Sequence, residues 1–129
     1  MAMKKGLWFG SVFLMILSVS AAEWQKETAG LIAREKEYPL LIESLQKHFS
    51  GLTEGEKAAV SLIVGYCQSR LGNFQAELIW MKKYLEEYRA ADVKLAFIPP
   101  GIRQKILLFR RAWQKDFPVI WELAIAAAD

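Results

Sequence analysis

The chain has 129 residues, of which 53% are hydrophobic, and its 17 basic and 14 acidic side chains give a net charge of +3. This length allows one small domain, and the single cysteine, Cys67, excludes an internal disulfide, so apolar burial alone must hold the core. Lys4 and Lys5 belong to a predicted export signal, and without them 15 basic residues face 14 acidic ones, a net charge of +1. A near-neutral domain lacks the concentrated basic face that nucleic-acid binding requires.

Residues 1–22 have the organisation of a signal peptide. Lys4 and Lys5 form the positive start, Leu7 to Val19 form an uncharged and mostly apolar run, and Ser20-Ala21-Ala22 supply the small residues that a signal peptidase needs. The apolar run is shorter than the roughly 20 residues of a bilayer-spanning helix. We therefore predict cleavage after Ala22, with an uncleaved anchor as the alternative, and a domain at 23–129 that is periplasmic or secreted. No cysteine lies near this site, which excludes a lipoprotein.

Two helices are predicted before residue 53. The first runs from about Glu23 to Glu35, and Glu37-Tyr38-Pro39 then breaks and restarts the chain, because proline fits the first turn of a helix. Apolar residues with helical spacing define helix two: Leu41, Ile42, Leu45 and Phe49. We expect Ser50-Gly51-Leu52 to end this helix with a glycine C-cap.

The clearest local pattern is a helical hairpin from Thr53 to Tyr88. Thr53 and Glu56 form a capping box at the start of helix three, and Gly72 ends that helix because only glycine enters the left-handed C-cap conformation without a side-chain penalty. Cys67 lies on the apolar side of helix three, so we interpret it as a small core residue. Helix four has an apolar stripe at steps of four, three, four and three: Phe74, Leu78, Met81, Leu85 and Tyr88.

Two more helices are predicted after an irregular segment that ends at Pro99-Pro100-Gly101. Helix five runs from about Ile102 to Lys115, and Asp116-Phe117-Pro118 then repeats the earlier break. Helix six follows, with apolar residues from Val119 to Ala124. Only Leu95 to Ile98 has the composition of a strand, and that run is short.

The breaks at Tyr38, Phe74 and Phe117 are alike, and each places an aromatic residue at the first turn of a helix. A shift of 36 residues aligns the first hairpin with the second, pairing Arg34 with Arg70 and Lys47 with Lys83. The run that includes Val64-Gly65, Leu71-Gly72-Asn73-Phe74 and Lys82 to Tyr88 resembles a tetratricopeptide repeat, of the kind found in exported proteins of the bacterial envelope. The predicted fold is therefore all-α, with about six helices in three antiparallel hairpins, stacked as a short solenoid or a compact bundle.

In this interpretation Gly65 lets a facing helix approach closely, and Phe74 fills the space between paired helices. The resemblance also implies a binding face on the concave side, made by the first helix of each hairpin. Its candidate protein-binding residues on helices three and five are Tyr66, Arg70, Lys105, Phe109 and Trp113. Aromatic and arginine side chains together suit a peptide or protein segment.

The predicted function is a non-enzymatic protein- or peptide-binding or scaffolding module of the bacterial periplasm or envelope. The chain has one histidine, His48, one core cysteine and no glycine-rich phosphate loop, so we predict no catalytic residues, no cofactor and no metal. The alternative is a membrane-associated accessory subunit that docks through helix five. Five basic residues lie on that helix: Arg103, Lys105, Arg110, Arg111 and Lys115. The other interpretation is that Arg110, Arg111 and Lys115 complement the negative C-terminal end of the helix dipole while Phe109 and Trp113 are buried.

Overall fold

The computed structural model describes the backbone of residues 23–128 and the side chains of residues 23–126, and this part of the chain is helical without any strand. Five α-helices follow one another: α1 (23–31), α2 (Tyr38–His48), α3 (Glu54–Arg70), α4 (Phe74–Lys83) and α5 (Pro100–Ala128). Short 3₁₀ turns lie at Glu35–Glu37 and Phe49–Gly51, and a π-helical turn, Tyr84–Tyr88, extends α4. The all-α prediction is confirmed. The predicted export signal and its cleavage after Ala22 lie outside the described residues.

Helix α3 is the centre of the fold, because every residue from Ala58 to Gln68 is buried. Small side chains let neighbours pack on all of its sides, and Gly65 shows this most directly. A β-carbon built on Gly65 would lie 2.6 Å from the sulfur of Met81, so α4 approaches α3 as closely as the absence of a side chain permits. The prediction that Gly65 allows a close helix approach is confirmed.

The ends of the α3–α4 hairpin follow the local sequence. The Thr53 hydroxyl accepts a hydrogen bond from the Glu56 amide at 3.3 Å, and the Glu56 carboxylate accepts one from the Thr53 amide at 3.1 Å, which completes the capping box. Gly72 has a φ of 79°, as a left-handed cap requires. The same prediction for Gly51 is wrong, since α2 ends in a 3₁₀ turn and Gly72 alone has positive φ among the glycines of the described segment.

The predicted stripe of α4 is buried in its middle and exposed at its start. Leu78, Met81 and Leu85 are buried, whereas Phe74 is 49% exposed. Phe74 is the first residue of α4 and lies beside the turn, where the facing helix has already ended at Arg70. The prediction that Phe74 fills the space between paired helices is therefore wrong.

The predicted separation of helices five and six is also wrong, because α5 continues through Pro118. Proline in a helix interior costs about 3 kcal/mol relative to alanine. Aromatic packing on both sides of Pro118 opposes that cost: the Phe117 ring lies 6.2 Å from Trp113 and 6.2 Å from Trp121, centroid to centroid. Each such aromatic pair contributes about 0.5–1.5 kcal/mol beyond the apolar area that it buries, so the two pairs offset part of this cost. The described part therefore contains five helices rather than six, and α3–α4 is the hairpin whose predicted helices and turn appear as expected.

The first helices and the long loop close the other side of the core. Trp24 of α1 is buried and meets Phe97 of the loop edge-on, with ring centroids 5.2 Å apart. Leu95 and Ile98 of the same loop are buried as well, although they form no strand. The loop between α4 and α5 is thus anchored by apolar side chains, and it places the start of α5 against α3.

Candidate functional site

The five residues predicted to bind a partner are divided between interior and surface. Tyr66 and Trp113 are buried, with 7% and 4% of their surface exposed, and Phe109 is partly buried between them. Arg70 and Lys105 are exposed. Since α3 is enclosed by its neighbours, it cannot line an open concave face with Tyr66. Tyr66 and Trp113 therefore belong to the core and do not extend a surface with Arg70 and Lys105. Partner binding at Arg70 and Lys105 stays a prediction.

The positive charges of the predicted surface are partly engaged within the chain. The Arg70 guanidinium donates to Glu35 in an ion pair whose two side chains are each about half exposed. Arg103 at the start of α5 donates to the carbonyl of Ile98 at 2.9 Å and to that of Ala96 at 3.3 Å. Arg103 therefore closes the loop that precedes α5, and this removes it from the cations available to an anionic partner.

An aromatic ladder holds α5 against the rest of the core. Phe109, Trp113, Phe117 and Trp121 follow one another at intervals of four residues on one face of α5, with successive ring centroids 6.2 to 6.4 Å apart. Tyr66 of α3 meets Phe109 edge-on at 5.8 Å. This geometry is favourable for aromatic pairs. The ladder explains the burial of the predicted aromatic residues: they form the α3–α5 interface rather than a surface for a ligand.

One polar link joins α4 to this ladder. The indole nitrogen of Trp113 donates to the Glu77 carboxylate at 2.9 Å. Burial raises the pKa of Glu77 above its ordinary value of 4.5, while the hydrogen bond from Trp113 acts in the opposite direction. A carboxylate with this buried partner orients Trp113 between α4 and α5, and the two helices are thereby held at a defined separation.

Beyond that link, α4 and the second half of α5 diverge into an apolar groove, which we call the α4–α5 groove. Its volume is about 400 Å³. One wall comes from the start of α4 and the other from residues 121–125 of α5. The lining residues are Phe74, Gln75, Leu78, Ile79, Trp121, Ala124 and Ile125. Gln75 is the single polar residue among them.

Large apolar side chains of the groove remain in contact with solvent. Ile79 is 65% exposed, Phe74 49% and Ile125 47%. Trp121 at the edge of the groove lies beneath the Lys82 ammonium, 5.1 Å from its ring centroid, and Lys82 also pairs with Glu86 at 2.9 Å. The cation–π contact with Lys82 favours this orientation of Trp121 at the edge of the groove. Adjacent exposed apolar side chains of this size mark interaction surfaces in soluble proteins.

Sequence reasoning missed this groove, although part of its signal was present. Ile79 follows Leu78 directly and falls about 100° away from it around the helix, so it could not share the buried stripe. An isoleucine off the core face of an otherwise amphipathic helix was the available sign. Trp121 and Ile125 carried no such sign, because their position depends on the continuation of α5 past Pro118.

The described residues offer few groups for chemistry. Cys67 is fully buried, which confirms it as a core residue, and burial raises the pKa of its thiol to about 12. His48 is exposed at the end of α2. Across residues 23–128 no group of His, Cys, Asp and Glu side chains is arranged to hold a metal ion. In the same region no helix combines the length and the apolar character needed to cross a membrane.

No protein-family model, curated protein or solved structure matches the chain. The groove and its exposed side chains are therefore the features of the described residues from which a function can be inferred.

Proposed function

We propose that this protein is a non-enzymatic binding module of the bacterial envelope, and that the α4–α5 groove holds a short amphipathic helix of a protein partner. The observation that carries the proposal is the exposure of Ile79 and Phe74 in a groove with a single polar lining residue. Apolar side chains of the partner would remove this surface from water. The predicted export signal at 1–22 supports a place in the envelope.

The dimensions of the groove favour a helix as the occupant. Phe74 and Ile79 lie five residues apart on α4, about 7.5 Å along its axis at a rise of 1.5 Å per residue. A helical ligand repeats its apolar face every three or four residues, about 5 to 6 Å. We infer that apolar side chains on one face of such a ligand would enter the space between these residues and the wall formed by Trp121 and Ile125.

Selection of peptides on the purified protein tests this function. Helical peptides displayed from a random library would be selected on the wild type alone, and the affinity of the enriched peptides would then be measured for the wild type and for Ile79→Lys. Because Ile79 is 65% exposed, lysine at this position leaves the core intact. We expect enriched peptides to carry apolar residues at intervals of three or four, and to lose about 10- to 100-fold in affinity for Ile79→Lys, the equivalent of one buried isoleucine.

Leu40→Lys is the matched control, because Leu40 is 52% exposed on α2 and lies outside the groove. Selected peptides should bind this variant as they bind the wild type. Peptides that bind Ile79→Lys and wild type equally would show that the groove is not the site. A selection that enriches no apolar pattern would contradict the proposed function itself.

A further inference from the structure

A second stripe on α5 is exposed to solvent and is distinct from the aromatic ladder. Seven positions separated alternately by three and four residues form a row along the helix, the period of a coiled-coil seam. We call this row the outer seam. It consists of Lys105, Leu108, Ala112, Lys115, Val119, Glu122 and Ala126. All seven are exposed, and the two largest apolar members, Leu108 and Val119, are 57% and 60% exposed.

We propose that the outer seam is a self-association surface, on which a second copy of this chain lays its own α5 in antiparallel orientation. In the antiparallel register centred between Ala112 and Lys115, the first six seam residues pair with one another in reverse order, and Ala126 lies beyond them. Lys105 then faces Glu122 of the second copy, and Leu108 faces Val119. Ala112 faces Lys115, whose aliphatic stem covers the small alanine while its ammonium reaches solvent.

The charges of the seam are self-complementary in this antiparallel register and not in the parallel orientation. A parallel pair would place Lys105 against Lys105, Lys115 against Lys115 and Glu122 against Glu122, three contacts between like charges. Neither Lys105 nor Lys115 nor Glu122 forms an ion pair within the described part of the chain. The antiparallel pair thus supplies an opposite charge to Lys105 and to Glu122, which lack one in the single copy, while Lys115 keeps its charge in solvent.

The arrangement of these charges favours a second protein helix over a membrane surface. A helix lying on a membrane keeps its charges at the borders of its apolar face. On α5, Lys115 and Glu122 lie within the row itself, between Ala112, Val119 and Ala126. A helix partner accommodates such residues because its own charged and small side chains face them.

The expected dimer is weak. From Lys105 to Glu122 the seam extends about 26 Å at 1.5 Å per residue. One helix face of this length buries less surface than the roughly 800 Å² per partner of a standard interface. Sedimentation velocity should therefore cover concentrations up to several hundred micromolar. The sample is the protein expressed from its full sequence and purified after any processing in the cell. Because the seam and the α4–α5 groove lie on different faces of α5, Ile79→Lys should leave the dimer unchanged.

Charge reversal tests the pairing. Lys105→Glu and Glu122→Lys should each weaken the dimer by about tenfold, since either change replaces two symmetry-related ion pairs by two repulsive contacts. The double variant Lys105→Glu/Glu122→Lys restores opposite charges and should return to about the wild-type dissociation constant. Lys47→Glu and Glu43→Lys make the same charge changes at exposed positions on α2, and both should have no effect. A chain that is monomeric at every concentration, or single reversals that leave the dimer intact, would overturn the proposal.

Disulfide cross-linking tests the orientation. Leu108→Cys mixed with Val119→Cys should form a disulfide-linked dimer under mild oxidation faster than either variant alone, because these two positions face each other only in the antiparallel pair. Cys67 does not compete, since it is fully buried. Equal cross-linking of each variant with itself would contradict the antiparallel orientation. Flotation of the monomer on anionic vesicles, abolished by Lys105→Glu, would overturn self-association in favour of a membrane surface.

Discussion

Replacement of Gly65 by alanine tests how closely α4 packs on the central helix. The new β-carbon would lie 2.6 Å from the sulfur of Met81 and 3.1 Å from its Cγ. Met81 is fully buried, so its side chain has no open space into which it can turn. Overpacking of this kind costs typically 1–3 kcal/mol, whereas removal of a glycine from a helix interior gains about 1 kcal/mol. We expect a net loss of about 0–2 kcal/mol in the free energy of unfolding.

Gly30→Ala is the matched control, because Gly30 is an exposed residue of α1 and a β-carbon there meets nothing within 4 Å. Without a clash, the helix preference of alanine should stabilise this variant by up to about 1 kcal/mol. The two substitutions are thus expected to differ by about 1–3 kcal/mol although they make the same chemical change. Urea unfolding followed by far-ultraviolet circular dichroism measures both.

A second background separates the clash from other effects of the substitution. Met81→Ala alone should cost about 2–5 kcal/mol, because it leaves a cavity in the core. In that cavity the β-carbon of Gly65→Ala finds room, so in the Met81→Ala background the same change should be stabilising. If Gly65→Ala stabilises the wild-type protein as much as Gly30→Ala does, the close approach of α3 and α4 is refuted.

Three further substitutions test single features of the structure. Pro118→Ala should stabilise the protein by up to about 3 kcal/mol in urea unfolding, since it restores a backbone hydrogen bond inside α5, whereas a loss of stability would indicate that a helix begins at this proline. Burial raises the pKa of Glu77 in the folded protein above its ordinary value of 4.5. The protonated side chain therefore stabilises the fold below pH 4.5, and this contribution is lost as the pH rises through the pKa of the folded state. In Glu77→Gln the amide oxygen can still accept the Trp113 hydrogen bond, but the side chain no longer titrates. Urea midpoints of this variant should therefore lack the loss of stability with rising pH, and a pH profile equal to that of the wild type would contradict the role of Glu77. Thr53→Ala should cost about 1 kcal/mol through loss of the capping box, with a shifted urea midpoint and an unchanged slope.

Features that depend only on neighbouring residues could be predicted from the sequence. Thr53 and Glu56 satisfy each other at the start of α3 within a single turn, and the left-handed conformation of Gly72 is a local backbone preference. Gly65 could be interpreted as a close-approach residue because a missing side chain has the same meaning in any helix pair. These elements require no knowledge of distant contacts, so the α3–α4 hairpin was predictable.

The roles of the aromatic residues and the length of α5 depend on contacts between distant parts of the chain. Pro118 has a local preference for a helix start, yet α5 continues through it and the Phe117 ring stacks on Trp121 across the proline. Tyr66 and Trp113 have the composition of a binding surface, but α3 is enclosed on all sides and draws them into the core. Phe74, which shares its stripe with Leu78, stays exposed because the facing helix has already ended. Whether a side chain is buried depends on which residues pack against it, and these residues are often distant in the sequence.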